Sequence, residues 1–302
     1  LSARATLVLV DERNPFQRLL SSEAHAAARR HGLELETAFT GDSFSEQTAV
    51  LRRLVAREAS ARPAAVLVMA VRDHGLARVV GETAAAGVHF VFLNATEDDL
   101  EAVRREAGAA TITVVCPDEV ETGRVQGRQL RVLVPAGRRV LYVQGSPRSL
   151  AARERTAGMQ EVVTGSEIEV AVAGGDWSPA QAARTVREWL RFAVGGRRPF
   201  DLVACQNDDM AGAVVEALAE AAAEAAQPEV ARIPVTGCDG APDVGQRMVR
   251  EGRLAATVVL PRVAAPAIEV VARLLQSGER PDPQIFHNAT SFPPLEELRP
   301  IA

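Results

Sequence analysis

Lysine is missing: all 34 basic side chains of this 302-residue chain are arginine. That one absence excludes a phosphate-loop lysine, a Schiff-base amine and a serine–lysine dyad. Cysteine is scarce too. Cys116, Cys205 and Cys238 are odd in number and lack CxxC spacing, so they read as small buried hydrophobes, not as a disulfide scaffold or a zinc cluster. The histidines, His25, His31, His74, His89 and His287, form no i, i+4 pair of the helical metal-site kind. There is no GxSxG elbow and no GxGxxG loop. No metal and no other cofactor is expected. Positive charge is not in excess either: the net charge is −5 and no basic stripe occurs, which removes nucleic acid as a partner for this region. No apolar run approaches the roughly 18 residues of a membrane span. The residues from Leu1 onward show no basic segment followed by an apolar one, so any export signal is expected to lie outside this sequence.

What is present is a large apolar fraction, 47% of the chain, in a length that suits two domains better than one. Apolar strands at residues 5–10, 33–39, 64–70, 88–93 and 111–115 alternate with helical patterns at 16–30, 45–59 and 76–86. After Cys116-Pro-Asp118 and a helix at 119–134 the alternation starts afresh. Strands are expected at 139–143, 167–172, 201–205, 233–236 and 254–260, and helices at 150–163, 179–193, 209–226, 244–251 and 263–276. This β-α-β-α order favours parallel sheets covered on both faces. The proline-rich tail after Pro281 excludes helix there. The expected fold is α/β, with two doubly wound parallel-sheet lobes.

The stretch Val203-Ala-Cys-Gln-Asn-Asp-Asp-Met210 reads as a buried strand running through polar residues into an alanine-rich helix. Such turns, at the carboxyl ends of strands, are where open α/β sheets bind ligands. Asn207 and Asp208 also suit simple helix capping. Similar polar or aromatic groups follow other strands: Asn14 and Phe16, Asn94, Asp118, Arg153, Trp177, and Asp239 in Cys238-Asp-Gly240. Planar polar groups beside aromatic rings fit a polyhydroxylated ligand, bonding its hydroxyls and covering its C–H faces. Each has a plainer alternative. Arg153 and Arg155 with Glu154 could form a solvated helix face, Phe16 and Trp177 could be core, and Asp239-Gly240 an ordinary turn. Trp189, beside Leu190 and Phe192, reads as packing. Asp208 and Asp209 are adjacent and so diverge, which argues against paired acids for glycoside hydrolysis. With no nucleophile, base and orienting group assembled in one place, an enzyme is not expected.

Asn14-Pro-Phe16, Ala151-Ala-Arg-Glu-Arg155 with Gly158, Gln206-Asn-Asp-Asp-Met210, Gly237-Cys-Asp-Gly240 and Leu254-Ala-Ala-Thr257 resemble, in order and spacing, the ribose-type sugar-binding proteins of bacterial import systems. The resemblance covers nearly the whole chain. It implies the type I periplasmic binding protein fold, shared with the effector domain of lactose-repressor-type regulators: two lobes, a three-crossing hinge, and ligand held in the cleft by hinge closure. The implied lobes are 1–116 plus 261–286 and 117–260 plus 287–302. The implied hinge includes Cys116, Pro117, Asp118, Leu260 and Pro261. The ligand-binding residues implied are Asn14, Phe16, Arg153, Trp177, Asn207 and Asp239, with Gln17 and Asn94 at positions where the chain departs from the family. Gln17 replaces a second aromatic, Asn94-Ala95 an Asp-Arg pair, and Leu260 a hinge glutamine. A buried hydroxyl left unpaired costs about 1–3 kcal/mol, so these losses point to a monosaccharide other than ribose, a polyol or another small polar solute.

The resemblance implies a periplasmic or otherwise exported receptor, a monomer, that delivers a small-molecule ligand to an ABC import permease or a membrane sensor protein. Two alternatives stand beside it: the cytoplasmic effector domain of a lactose-repressor-type regulator, and a sugar sensor feeding a signalling kinase.

Overall fold

The computed structural model describes residues 3–72, 74–93, 100–191 and 199–301. In chain order the first elements are β1 (Arg4–Leu9), α1 (Pro15–Arg30), β2 (Glu34–Phe39), α2 (Phe44–Val55), β3 (Ala65–Val68), α3 (Ala77–Ala85), β4 (His89–Phe92), α4 (Leu100–Glu106) and β5 (Ile112–Pro117). There follow α5 (Glu119–Leu133), β6 (Arg139–Val143), α6 (Leu150–Val163), β7 (Glu169–Ala173), α7 (Pro179–Leu190), β8 (Leu202–Cys205), α8 (Asp208–Glu224), β9 (Val235–Asp239), α9 (Gly245–Arg250) and β10 (Ala256–Val259). The chain ends with α10 (Ala264–Ser277), β11 (Gln284–His287) and β12 (Thr290–Phe292). No helix among the described residues is long and apolar enough to cross a membrane.

The chain divides into two compact units. One comprises Leu1–Pro117 with Arg262–His287, the other Asp118–Pro261 with Asn288–Ala302. In the first unit the strand order is β11-β5-β4-β3-β1-β2, and every pairing is parallel. In the second it is β12-β10-β9-β8-β6-β7, the same order position for position. There the sheet is mixed: β12 runs antiparallel to β10, with Val258 opposite Ser291, while the other pairs are parallel. β12, three residues long, reaches this sheet after α10 and β11 of the first unit and joins it antiparallel at the edge.

Alternation along buried strands builds the cores. In the first unit Leu7, Leu9 and Leu67 face α1 and α10, while Val8, Val66, Val68, Phe90 and Phe92 face the side covered by α2 and α3. In the second unit Leu141, Val143, Val203 and Val235 pack with α7 and α8, and Val140, Tyr142, Leu202 and Ala204 with α5 and α6. Cys116, Cys205 and Cys238 are buried and form no disulfide among the described residues. Trp189 packs partly buried on the second core.

Helix α4 was not expected from the sequence. Its apolar periodicity is only Leu100 and Val103 amid charge, one turn of signal. β11 and β12 are likewise too short to stand out of the proline-rich tail. Strand β9 runs on to Asp239, past the expected end at residue 236, which makes Asp239 its last residue.

Helices α5 and α6 approach almost to backbone contact. A Cβ on Gly123 would collide with the carbonyl of Arg155, and one on Gly158 with the carbonyl of Val120. Only glycine permits this approach. It brings the start of α5 against the second turn of α6.

Candidate functional site

In both sheets the order reverses beside the first strand, between β1 and β3 and between β6 and β8. The loops at the carboxyl ends of those strands flank the place where such sheets bind ligands. In the second unit the loops are held by buried glutamines. Gln206, wholly buried, accepts a hydrogen bond from the Gly145 amide (2.9 Å) and donates to the Ala152 carbonyl (3.0 Å). It is also bonded to the Tyr142 hydroxyl (3.0 Å). Gln144 donates to Ala152 (3.1 Å) and to Thr156 (2.8 Å) from the same loop.

Asn207 caps α8: its Oδ1 accepts from the Met210 amide at 2.7 Å, as the capping reading of the sequence allows. Its Nδ2 donates across to the Trp177 carbonyl at 3.3 Å. Trp177 itself sits at φ 70°, a conformation costly for a bulky side chain. Its ring lies flat against Gly145, where any Cβ would penetrate it. The Arg155 guanidinium stacks over the same ring at 5.6 Å.

Arg155 corrects one sequence expectation. In place of a solvated helix face, it is 5% exposed and forms a two-pronged ion pair with Glu119, Nε to Oε2 at 2.6 Å and Nη2 to Oε1 at 3.1 Å. Its Nη1 donates to the Gln206 carbonyl at 2.8 Å and points to the Cys238 sulfur at 3.5 Å. Burial opposes its charge, but Glu119 outweighs that and holds the guanidinium protonated beyond its ordinary range. Arg153, two residues earlier and so about 200° round the helix, is exposed, with Nη1 donating to the carbonyls of Pro147 (3.3 Å) and Arg148 (2.8 Å).

Asp239 ends β9 at φ 114°, followed by Gly240 at φ 61°. Its carbonyl accepts from the Leu260 amide at 3.1 Å. Among the described residues its carboxylate has no hydrogen-bond partner, although it is largely enclosed. Burial, then the charge of Asp208, pushes the Asp239 carboxyl well above the ordinary carboxylate range, with Arg155 pulling the other way. Asp208 is 2% exposed, accepting from the Gly240 amide and the Thr257 hydroxyl, each at 2.7 Å. The second unit therefore places Trp177, Asn207 and Asp239 at or just after the ends of β7, β8 and β9, with Asp208 opening α8 and Arg155 of α6 stacked on the Trp177 ring.

In the first unit Asn14 caps α1, accepting from the Gln17 amide at 3.1 Å. The Gln17 Oε1 is committed to the loop, accepting from the amides of Val10 (2.8 Å) and Asp11 (3.0 Å). Phe16 packs partly buried on the core. Asn94 lies outside the described residues. Of the crossing residues, Cys116 and Pro117 close β5, Asp118 caps α5 by accepting from the Glu121 amide at 2.8 Å, Leu260 is buried, and Pro261 is the last residue before the chain passes to the first unit. Among the described residues no three His, Cys, Asp or Glu side chains cluster so as to hold a metal ion.

Glu119 was not singled out by sequence reasoning, and Arg155, Gln206 and Asp208 were named there without the buried roles they take. The one signal for Asp208 was the glycines at 237, 240 and 245, which make room for its carboxylate.

Two α/β units of matching strand order, joined by three chain crossings and with polar and aromatic groups gathered at strand ends, define the class of two-domain α/β binding proteins. The chain belongs to the family described as the periplasmic binding protein domain, whose profile matches residues 6–280. It is 29% identical over 180 residues to the ribose import binding protein of Salmonella typhimurium, a match covering 59% of this chain and 56% of that one. The match thus spans little more than half the length of that relative. Among solved structures, an ABC transporter periplasmic solute binding protein from Actinobacillus succinogenes with bound D-allose superposes with a TM-score of 0.80 at 17% identity, covering 96% of this chain and 97% of that one. The Caulobacter myo-inositol binding protein bound to myo-inositol gives 0.79 at 20% identity, covering 98% and 95%.

Proposed function

We propose that this chain is a solute receptor that captures a small polyhydroxylated ligand, a monosaccharide or a cyclic polyol, and presents it to an ABC import permease. One observation carries the reading: the Asp239 carboxylate is largely enclosed, held at a strained backbone position, and left without a hydrogen-bond partner among the described residues. A carboxylate accepts hydrogen bonds only, and two neighbouring hydroxyls satisfy both of its oxygens. Each such bond contributes about 1.5–3 kcal/mol, so Asp239 with two or three further polar contacts supplies the roughly −8 kcal/mol of micromolar binding.

In this reading Asp239, Asn207 and Arg153 bond ligand hydroxyls and the Trp177 ring covers the C–H face. The family resemblance adds Asn14, Phe16, Gln17 and Asn94 of the first unit. The relatives that match are named as import and periplasmic solute binding proteins, which supports an exported receptor over an enzyme.

A thermal-shift screen against pentoses, hexoses, inositols and glycerol tests this. Ligand at a hundred times its dissociation constant stabilises by about 2.7 kcal/mol, a shift of roughly 5–10 °C for units of this size. Asp239→Ala should then weaken the best compound more than tenfold by calorimetry. Equal affinity in that variant removes Asp239 from the site, and an unresponsive wild type removes the sugar and polyol class.

A further inference from the structure

We propose that Asp208, which is sealed from solvent, is the positioning residue for Asp239: its carboxylate anchors the turn after β9 and so aims the Asp239 carboxylate at the ligand. The proposal rests on the reading of Asp239 as a ligand contact. Asp208 stands at the start of α8, on the chain segment next to β9. One carboxylate oxygen takes the Gly240 amide and the other the Thr257 hydroxyl on β10, both at 2.7 Å. The first bond lies immediately after Asp239, and the second fixes the carboxylate against the strand on the far side. Asp208 therefore spans three successive chain segments, β8–α8, β9 and β10.

The space for it is built by glycine. At Gly237 and at Gly245 a Cβ would overlap the Asp208 carboxylate, and at Gly240 one would overlap the Val259 backbone. Three close approaches to one side chain and its anchored turn mark a dedicated cradle. What the cradle holds is a backbone that does not hold itself: Asp239 at φ 114° and Gly240 at φ 61°. Strain of this kind persists only where surrounding bonds over-determine it. Beside the ladder register of Asp239 with Val259, the Asp239 carbonyl bond to Leu260 and the Gln246 bond to the Gly240 carbonyl, the Asp208 carboxylate contributes to that determination. Nothing comparable restrains the Asp239 side chain, which has no hydrogen-bond partner among the described residues. Its direction follows from the backbone.

The test compares the wild type with Asp208→Ala, Asp208→Asn, Thr257→Val and Asp239→Ala. In ligand-free protein, nuclear magnetic resonance reads hydrogen exchange of the Gly240 amide and the χ1 couplings of Asp239. Calorimetry reads affinity for myo-inositol and D-allose. Asparagine can accept from Gly240 and donate to Thr257, so it preserves the geometry without the charge. The expected result is at least tenfold faster Gly240 exchange, averaged Asp239 couplings and at least tenfold weaker probe binding in Asp208→Ala. Asp208→Asn should stay within threefold of wild type on every readout, and Thr257→Val, which loosens one anchor and serves if Asp208→Ala does not fold, should fall between.

Unchanged Asp239 couplings in the alanine variant overturn the proposal. So does unchanged probe affinity in Asp208→Ala when Asp239→Ala has lost it. If Asp239→Ala binds as wild type, or neither probe binds at all, the ligand reading of Asp239 fails, while the exchange and coupling data still decide whether Asp208 sets its direction.

Discussion

Arg155 offers the sharpest test of how the second unit is held together. It is buried, pairs through two nitrogens with the equally buried Glu119, caps the Gln206 carbonyl and stacks on Trp177. Replacing it with methionine keeps much of the aliphatic volume but strands the Glu119 carboxylate. Breaking a buried pair from one side costs about 3–5 kcal/mol. In a unit of about 160 residues, at roughly 2–4 °C per kcal/mol, the melting temperature should fall by about 6–20 °C. Removing both charges, as Arg155→Met with Glu119→Leu, should recover most of that loss, because the desolvation of both ions is relieved together. The assay is thermal unfolding followed by circular dichroism on the two single variants and the double. Tryptophan emission in a Trp189→Phe background isolates Trp177, which should red-shift in Arg155→Met as its stacking partner goes. A single variant melting within about 2 °C of wild type would show that stranding one charge of the pair costs little, and the reasoning from burial would be wrong.

Other consequences can be checked as directly. Burial pushes Asp208 up to about 7 from its ordinary 3.8, and Asp239 moves the same way, so the folded chain keeps protons that the unfolded chain has released. Stability should therefore fall as pH rises from about 4 to about 7. Urea midpoints at pH 5 and pH 7.5 should show it, a midpoint rising with pH refutes it, and Asp208→Asn should flatten the slope. Gly145→Ala pushes a methyl into the Trp177 ring, with an overpacking cost of about 1–3 kcal/mol; calorimetry should find the best sugar or polyol bound at least tenfold more weakly. Gly158→Ala forces α5 and α6 apart and should lower the melting temperature by several degrees, and a crystal structure should show the Arg155–Glu119 pair lengthened.

Much of the architecture was legible because its signals are local. The apolar runs of β1, β3, β6 and β8 and the alanine-rich α8 declare themselves within a few residues, and the repeated alternation separates two units. The motifs Asn14-Pro-Phe16 and Gly237-Cys-Asp-Gly240 carried the family resemblance for the same reason. What stayed hidden depends on distant approach. Arg153 and Arg155 look alike in sequence, and which of them is buried follows from Gly123 and Gly158 letting two helices touch. Asp208 reads as half of an acidic pair in a first helical turn. Only the folded sheet brings Gly240 and Thr257 to it. Helix α4 gave one turn of apolar periodicity, too little to be distinguished from a loop.

The bond from the Leu260 amide to the Asp239 carbonyl is the last ladder bond of its kind before Pro261, which has no amide to give, and beyond Pro261 the chain leaves the second unit. One end of that bond is the backbone of the proposed ligand carboxylate, and the other is the final amide of an outgoing strand. Anything that stiffens Asp239 should slow deuterium uptake at Leu260. A single peptide covering residues 254–262 then serves as an occupancy gauge in mass spectrometry, reading how full the proposed site is without a label, a chromophore or knowledge of the ligand.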